Sequence, residues 1–364
     1  MDAFRLLRDV VAIPSETGSE AKVVDFLVAT AKQDGFHARR DAVGNFVAET
    51  GTGPNLLLFV GHVDTVTGHI PVRVESDTLH GRGSVDAKGP LVAFYCAARE
   101  FRDRSNFRIR IVGAIDEEGD SKGAKALPRA DRPTWVIVGE PSGSDGVTLG
   151  YKGIIRGILQ VRRPHRHGAH ASPSAADELL ALWGEVARTF DFQERFEWMQ
   201  GRLLELGSKN DGLTDVATAG FSLRLPPGFT TARTIRRLED IGTRRGAEFR
   251  FGEAMEPAVV DKRGPLVAAY IASIRAEGAK PRLKQKTGTA DFNLLHEWWP
   301  EVPIVAYGPG DASLDHTPEE RITRAEFERG VRVNRSVIER LAVPVAADAT
   351  PSAKPVSPPR ARKA

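Results

Sequence analysis

Histidines and acidic residues follow the apolar runs of this sequence that are predicted to be buried strands. Five of them could ligate a metal ion: His62, Asp86, Glu118, Glu140 and His316. In open α/β sheets, ligands bind beyond the carboxyl ends of the strands, which is where these side chains would meet. Carboxylate and imidazole ligands without thiolates suit zinc, cobalt or manganese. Their common placement predicts a metal centre that no single motif would establish.

The pair His62 and Asp64 directly follows the predicted strand Leu56–Val60. Residues two apart on a strand project to the same side. His62 could therefore ligate a metal while Asp64 accepts the other imidazole N–H and fixes its tautomer. A loop stabilised by a salt bridge or a cap has the same pattern, so this pair alone leaves both interpretations open.

Asp86 lies in the glycine-rich turn GRGSVDAKG, which opens the next predicted helix. A metal-bridging carboxylate is one interpretation of this position. A phosphate-binding loop is excluded because Asp86 occupies the last glycine position of the G-x-G-x-x-G spacing, and a carboxylate would repel a phosphate. An ordinary helix N-cap stays open as an alternative.

Three consecutive acids, Asp116 to Glu118, follow the predicted strand Ile109–Ile115. Acids at the end of a buried strand repel one another, and a divalent cation would compensate their charge. Because neighbouring residues point to different faces, Glu117 and Glu118 could divide the chemistry, one as ligand and the other as proton carrier. A surface acidic cluster has the same sequence pattern.

Glu140 follows the predicted strand Trp135–Val138, and His316 lies in the loop after Val302–Tyr307. Both positions fit the same strand-end arrangement.

Cys96 is the only cysteine, so the sequence offers neither a disulfide framework nor a thiolate zinc site, and we expect a cytoplasmic protein. No apolar run approaches membrane-spanning length, and the amphipathic first fifteen residues lack the pattern of a signal peptide.

The charge distribution argues against a nucleic-acid partner. The net charge of +3 lies entirely in the tail from Pro344 onward, which leaves the body neutral. No basic stripe interleaved with aromatic residues is present. Residues 344–364 are rich in Ala, Pro and Ser, and we predict a disordered, solvated tail.

The helices and strands that must position these residues belong to a chain of 364 residues, a length that suits two domains. Helices and strands alternate up to residue 152 and again over 262–343, which is typical of a doubly wound α/β catalytic domain with a mixed sheet. Residues 153–261 predict an inserted α+β domain of ferredoxin-like type. Within it we expect one long helix from Ala175 to Leu206.

The segments GHVDTV, GRGSVDAKG, DEEG, GEPS and HTPEE, in this order, resemble the family of co-catalytic zinc aminoacylases and exopeptidases. Acetylornithine deacetylase and succinyl-diaminopimelate desuccinylase belong to it, and the similarity covers residues 1 to about 343. The resemblance implies two divalent metals, with zinc favoured and cobalt as the alternative. It implies His62 and Glu140 on one metal, Glu118 and His316 on the other, and Asp86 between them.

The resemblance also implies Glu117 as the general base and Asp64 as the partner of His62. It makes the inserted domain a dimerising lid, whose GAHASP segment carries His170 as an oxyanion donor to the partner subunit's active site. His165 and His167 compete for that role.

The family resemblance further implies that Arg224 binds a substrate carboxylate and that Gly288 and Thr289 contact the substrate. Many members of the family have an asparagine in the connection before the strand that carries this arginine, and this sequence has none there.

Within the family, GHVDTVTGHIPVR and LHGRGSVDAKGPL look most like hydrolases that release lysine or ornithine from an amino-group carrier protein in lysine and arginine biosynthesis. A small-molecule deacetylase or dipeptidase, and a non-catalytic binding protein, are the alternatives. An acidic carrier would require a basic rim around the site. Four residues are candidates for that rim: Lys152, Arg162, Arg163 and Arg166.

Overall fold

The computed structural model of the protein describes residues 2–101 and 107–342. The predicted tail, residues 344–364, lies outside the described residues. Nine α-helices are found in this part of the chain: α1 (Ala3–Val11), α2 (Ala21–Gln33), α3 (Lys88–Ala98), α4 (Lys122–Lys125), α5 (Ala175–Thr189), α6 (Thr231–Arg245), α7 (Pro265–Ala276), α8 (Asp291–Trp298) and α9 (Arg324–Ala342). None of these described helices is long and apolar enough to cross a membrane.

The same residues form sixteen strands. These are β1 (His37–Arg40), β2 (Phe46–Thr50), β3 (Asn55–His62), β4 (Arg73–Glu75), β5 (Thr78–His80), β6 (Phe107–Ala114), β7 (Trp135–Gly139), β8 (Gly146–Tyr151), β9 (Gly153–Pro164), β10 (Gln200–Asn210), β11 (Thr214–Leu225), β12 (Ala247–Met255), β13 (Ala258–Val259), β14 (Arg282–Lys286), β15 (Ile304–Ala306) and β16 (Arg321–Thr323). They assemble into a large mixed sheet, a four-stranded sheet and a small three-stranded sheet.

The large sheet has the strand order β1-β2-β6-β3-β7-β15-β8-β13, and β14 also pairs with β8. Its centre, from β6 through β3 and β7 to β15, is parallel. Alternate residues of β3 enter two different cores, because successive side chains of a strand point to opposite faces. Leu57 and Phe59 pack with α1, α2, α3, α7 and α9, whereas Leu58 and Val60 pack with α8. The sheet is therefore doubly wound, as predicted.

The second sheet consists of β9 to β12 and is antiparallel throughout, in the order β10-β11-β9-β12. With α5 and α6 it has the order β-α-β-β-α-β, the ferredoxin-like arrangement. One face of this sheet packs on the two helices through residues such as Leu159, Phe221 and Leu238. The other face borders, through Arg156 and Arg224, a cavity that Glu140, directly after β7, also lines. We refer to residues 153–255 as the lid.

The prediction of a single helix from Ala175 to Leu206 is wrong. Helix α5 begins at Ala175, after Ser174, whose side chain caps it in a capping box with Asp177, and it ends at Thr189. Gln200–Asn210 instead forms the edge strand β10, most of whose residues are exposed. An edge strand exposed on both faces lacks the alternation of apolar and polar residues that identifies a strand in a sequence.

Two linkers join the lid to the large sheet, at Lys152 and at Glu256. The side chain of Asn293, on α8, donates hydrogen bonds to both backbone carbonyls, at 3.1 Å from Lys152 O and 2.9 Å from Glu256 O. The hydroxyl of Thr289 also donates to Lys152 O, at 2.9 Å. Both linkers are thus held from one short helix and the loop that precedes it.

Candidate metal centre

The strand order of the large sheet explains why residues distant in sequence converge. His62 is the last residue of β3, Glu118 lies in the turn after β6, and Glu140 directly follows β7. His316 lies in the loop after β15. Since these four strands are neighbours and parallel, their carboxyl ends meet at one edge. The fifth residue, Asp86, reaches the same edge from the turn before α3.

Asp86 lies at the middle of the cluster and uses both carboxylate oxygens. Its Oδ1 is 3.3 Å from His62 Nε2, and its Oδ2 is 3.0 Å from His316 Nε2. His316 Nε2 is also 2.9 Å from Glu118 Oε1, and Glu140 Oε1 lies 4.0 Å from His62 Nε2. The structure therefore brings together all five residues that the sequence singled out.

Two of the three groups of potential ligand atoms among the described residues share Asp86, and the third consists of His62, Glu117 and Glu118. Of the two groups that share Asp86, one contains His62 and Glu140 and the other contains Glu118 and His316. Within each group the potential ligand atoms lie within 4.8 Å of one another. Two imidazoles and three carboxylates with no thiolate are donors that suit a borderline divalent cation. The residues present thus fit a site for divalent cations, and Asp86 belongs to two of the groups that could hold one.

The protonation equilibria of the cluster show how much negative charge it concentrates. Burial raises the pKa of Glu140 to about 7, although Lys286 opposes this shift. Burial also raises the pKa of Glu117 well above its usual value, and the neighbouring Glu140 adds to the effect. Hydrogen bonds to Asp86 and Glu118 raise the pKa of His316 to about 10. Divalent cations would relieve this accumulation of carboxylates.

Asp64 is fully buried and organises the cluster from behind. Its two carboxylate oxygens accept hydrogen bonds from the backbone N–H groups of Glu117 and Glu118, each at 3.1 Å, and from the hydroxyl of Thr17 at 2.9 Å. His62 Nδ1 lies 3.0 Å from the backbone oxygen of Asp64 and 3.5 Å from its Oδ1. Asp64 thus positions the acidic turn as well as the imidazole, which is more than the sequence suggested.

Glu320 supports the Asp86 turn, a role that the sequence analysis missed. Its buried Oε1 accepts hydrogen bonds from Val85 N at 2.9 Å and from Asp86 N at 3.1 Å. Its Oε2 lies 2.8 Å from Arg82 Nη1. The residue stands in the quoted motif HTPEE, so the signal was present, but only the histidine of that motif was given a role.

Lys286 and Asp315 are two further charged residues at the site that the sequence analysis missed. Lys286 Nζ lies 3.7 Å from Glu140 Oε2 and 3.9 Å from Asp315 Oδ2. Since Glu140 Oε1 faces His62, the two oxygens of this carboxylate have different environments. Lys286 immediately precedes the segment Thr287-Gly288-Thr289 that the sequence analysis noted, but a lone lysine gives no signal of its own.

A cavity of about 510 Å³ opens over the cluster, and Glu117, Arg224, Gly288 and Thr289 all line it. Arg224 Nη1 donates a hydrogen bond to Thr289 Oγ1 at 2.7 Å. Arg224 of the lid is therefore in direct contact with the loop that precedes α8. These three expected substrate residues lie together on one wall of the cavity.

His170 lies outside this cavity, exposed in the loop between β9 and α5. Its Nε2 accepts a hydrogen bond from Arg166 Nη1 at 3.3 Å. Its competitors have local partners: His165 contacts Asp215 at 2.8 Å, and His167 Nδ1 accepts from Ala169 N at 3.2 Å. Within one chain, none of the three histidines lines the cavity over the candidate metal ligands.

The expectation that Lys152 forms part of a basic rim is wrong. Lys152 is completely buried, and its Nζ donates to the backbone oxygen of Arg195 at 2.8 Å and to Gln200 Oε1 at 3.1 Å. Arg163 is also engaged, with Glu178 and with the backbone oxygen of Gly246. The lysine lies in the linker before the lid, and its side chain is bonded to the connection between α5 and β10.

A doubly wound sheet with metal ligands at its strand ends and a ferredoxin-like lid over them defines a metal-dependent hydrolase. The chain belongs to peptidase family M20/M25/M40, whose model matches residues 58–340. It is accordingly a hydrolase that acts on amide bonds.

Curated relatives and solved structures are similar over nearly the whole chain. The LysW-lysine hydrolase of Deinococcus radiodurans is 42% identical over 351 residues, which cover 93% of this chain and 97% of that protein. The LysW-lysine/LysW-ornithine hydrolase of Sulfurisphaera tokodaii is 27% identical over 92% of this chain and 94% of its own. An M20 family metallo-carboxypeptidase of Sulfolobus solfataricus shares the fold with a TM-score of 0.78 at 17% identity, covering 94% of this chain and 100% of that one.

Proposed function

We propose that this enzyme releases lysine, or ornithine, from the C-terminal glutamate of an amino-group carrier protein, in the biosynthesis of lysine or arginine. The similarity to the Deinococcus radiodurans LysW-lysine hydrolase is the observation that carries the proposal. The site supports it, because Arg224 lines the same cavity as the metal cluster and could bind the carboxylate of an amino acid. The proposal places the enzyme in the cytoplasm.

The cofactor in this proposal is a pair of divalent cations, zinc or cobalt, held by His62, Asp86, Glu118, Glu140 and His316. When bound, the pair would supply Lewis acidity for the scissile carbonyl and for the attacking water. Glu117 takes the proton of that water and delivers it to the leaving amine. Its side chain borders the cavity beside the cluster, and its raised pKa suits a group that must carry a proton for part of the cycle.

The proposal includes a homodimer formed through the lid. Strand β10 is an edge of the lid sheet, and Leu206 on it is 58% exposed. An exposed edge with apolar side chains is a template for pairing with another strand. In such a dimer, His170 of one lid would serve the partner's cavity and donate to the developing oxyanion, since it does not reach its own.

A Leu206→Lys substitution should shift sedimentation towards the monomer, whereas Val43→Lys, a change at an exposed apolar residue outside the lid, should not.

The decisive experiment is a comparison of substrates with the metal-loaded enzyme. Turnover of a carrier–lysine conjugate is measured beside that of acetylornithine, acetyl-lysine and a dipeptide. We expect the highest kcat/KM for the conjugate. A preference for one of the small substrates would instead assign the enzyme to the deacetylase or dipeptidase group of the same family.

A further inference from the structure

Two neighbouring rows of the lid sheet place three arginines on its open face. Arg202, Ser222 and Arg156 stand opposite one another on β10, β11 and β9. Arg224 lies two residues beyond Ser222 on β11, and residues two apart share a face. Since α5 and α6 cover the other face, the three guanidinium groups are all directed to the side of the cavity.

The charges of these arginines are not balanced. Glu253 pairs with Arg156 at 3.2 Å, whereas Arg224 donates to the neutral hydroxyl of Thr289. The side chain of Arg202 has no hydrogen bond or ion pair with any residue that the structure describes. Burial, together with the positive charges of Arg156 and Arg202, lowers the pKa of Arg224. Three cations thus share one carboxylate, which leaves a local excess of positive charge.

The arginines surround a space that could hold an anion. A second cavity of about 340 Å³, which we call the arginine chamber, is lined by Arg156, Arg202, Ser222, Arg224 and the loop at Thr287–Gly288. It adjoins the metal-site cavity, with which it shares Arg156, Arg224 and this loop. Neighbouring strands are about 4.8 Å apart, so the two outer arginines flank the small Ser222 at a separation of about 10 Å between Cα atoms. Long side chains on both sides of a serine can converge on one carboxylate and donate charge-assisted hydrogen bonds to it.

We propose that the arginine chamber binds a carboxylate on the acyl half of the substrate, while Arg224 binds the carboxylate of the released amino acid. This inference rests on the proposed function, and it names the substrate class: amides whose acyl group carries its own carboxylate, as a γ-glutamyl group does. An acetyl group would leave Arg202 without an anion and Arg156 with Glu253 alone. The chamber therefore selects against small neutral acyl groups.

The test compares two small substrates that differ in one charge. These are Nα-(γ-glutamyl)-lysine and its analogue in which the glutamyl α-carboxylate is a carboxamide. For the metal-loaded wild type we expect a kcat/KM that is roughly 10- to 100-fold higher for the acid, the range that a charged hydrogen bond contributes. In Arg202→Gln and in Arg156→Gln this acid-to-amide ratio should fall towards one, through KM. Ser222→Ala should lower it by a smaller factor.

Arg162→Gln is the matched control, because Arg162 lies on β9 on the same face as Arg156 but outside both cavities. It removes the same charge and should leave the ratio at the wild-type value. The proposal is overturned if Arg162→Gln lowers the ratio as much as Arg202→Gln does, or if the wild type shows no preference for the acid. Circular dichroism and metal content verify that each variant is folded and loaded.

The same measurements separate this inference from the proposed function. If the wild type hydrolyses the carrier conjugate but does not distinguish acid from amide, the chamber proposal fails and the proposed function stands. If the wild type prefers the acid among small substrates and does not hydrolyse the conjugate, the proposed function fails and the chamber is retained.

Discussion

The three consecutive acids after β6 have separate tasks in the structure. Asp116, with a φ of 62°, closes the turn by accepting a hydrogen bond from Asp120 N at 3.1 Å. Glu118 contacts His316, and Glu117 borders the cavity. This division could be anticipated only in outline from the sequence, because alternation predicts different faces but not which acid takes the turn.

Glu117→Gln should abolish turnover and leave metal binding intact. The amide keeps the shape of the side chain but cannot carry the proton, so we expect a loss in kcat of about 100- to 10,000-fold. Steady-state kinetics and metal analysis of the purified variant test this. Near-wild-type activity would remove Glu117 from its role as base, and loss of metal would show that it is a ligand instead.

Metal affinity should rise with pH through neutrality. Glu140 has a pKa of about 7 in the metal-free cluster, raised by burial, so cations must displace a proton there at lower pH. Lys286 lowers this pKa, and Lys286→Met should therefore shift the rise in affinity to higher pH, whereas Lys286→Arg should not. Competition with a chelator between about pH 6 and about pH 8 measures the effect. An affinity that is flat over this range would contradict the assignment of Glu140 as a ligand.

Among the elements, the central strands and the convergence of histidines and acidic residues at their ends were predictable, and the lid's edge was not. Runs such as Leu56–Val60 are apolar because both faces of the parallel sheet are covered, and that pattern is visible in a sequence. Strand β10 pairs on one side only and is mostly exposed, so its residues have no pattern to detect. Lys286 was missed because tertiary packing alone brings it beside Glu140. Asp315, which lies 3.9 Å from Lys286, was missed because only the neighbouring His316 was given a role.

Asn293→Ala should destabilise the protein. The substitution removes the donor to two linker carbonyls and the acceptor of a hydrogen bond from Ala290 N. Leaving a buried polar group unsatisfied costs about 1–3 kcal/mol of unfolding free energy, and we expect a loss of that size. Denaturant unfolding measures it. Glu297→Ala, an exposed change on the same helix, should have an effect near zero, and an equal loss in both variants would argue that α8 itself had been weakened.

For the whole molecule, the proposed dimer predicts that two differently mutated subunits complement each other through His170. An His170→Ala subunit keeps its own metal ligands, and a His62→Ala subunit keeps its His170. In a one-to-one mixture about half of the dimers are mixed, each with one complete site, so about a quarter of the wild-type activity should return. Co-refolded or co-expressed pairs are assayed against each variant alone. No recovery, with mixed dimers verified by mass spectrometry, would show that His170 does not act across the interface.

A hydrogen bond connects the linker at Lys152 to Thr289, which lines the cavity. Thr289 holds the Lys152 carbonyl and also accepts from Arg224, so a ligand that engages Arg224 perturbs a group bonded to the linker. Any ligand that binds one lid orientation more tightly than another favours that orientation by the same factor. The reverse also holds: a change that favours this lid orientation strengthens the binding of that ligand. A change at Asn293 that alters the preferred orientation should therefore alter the affinity for such a ligand, although Asn293 itself does not line the cavity.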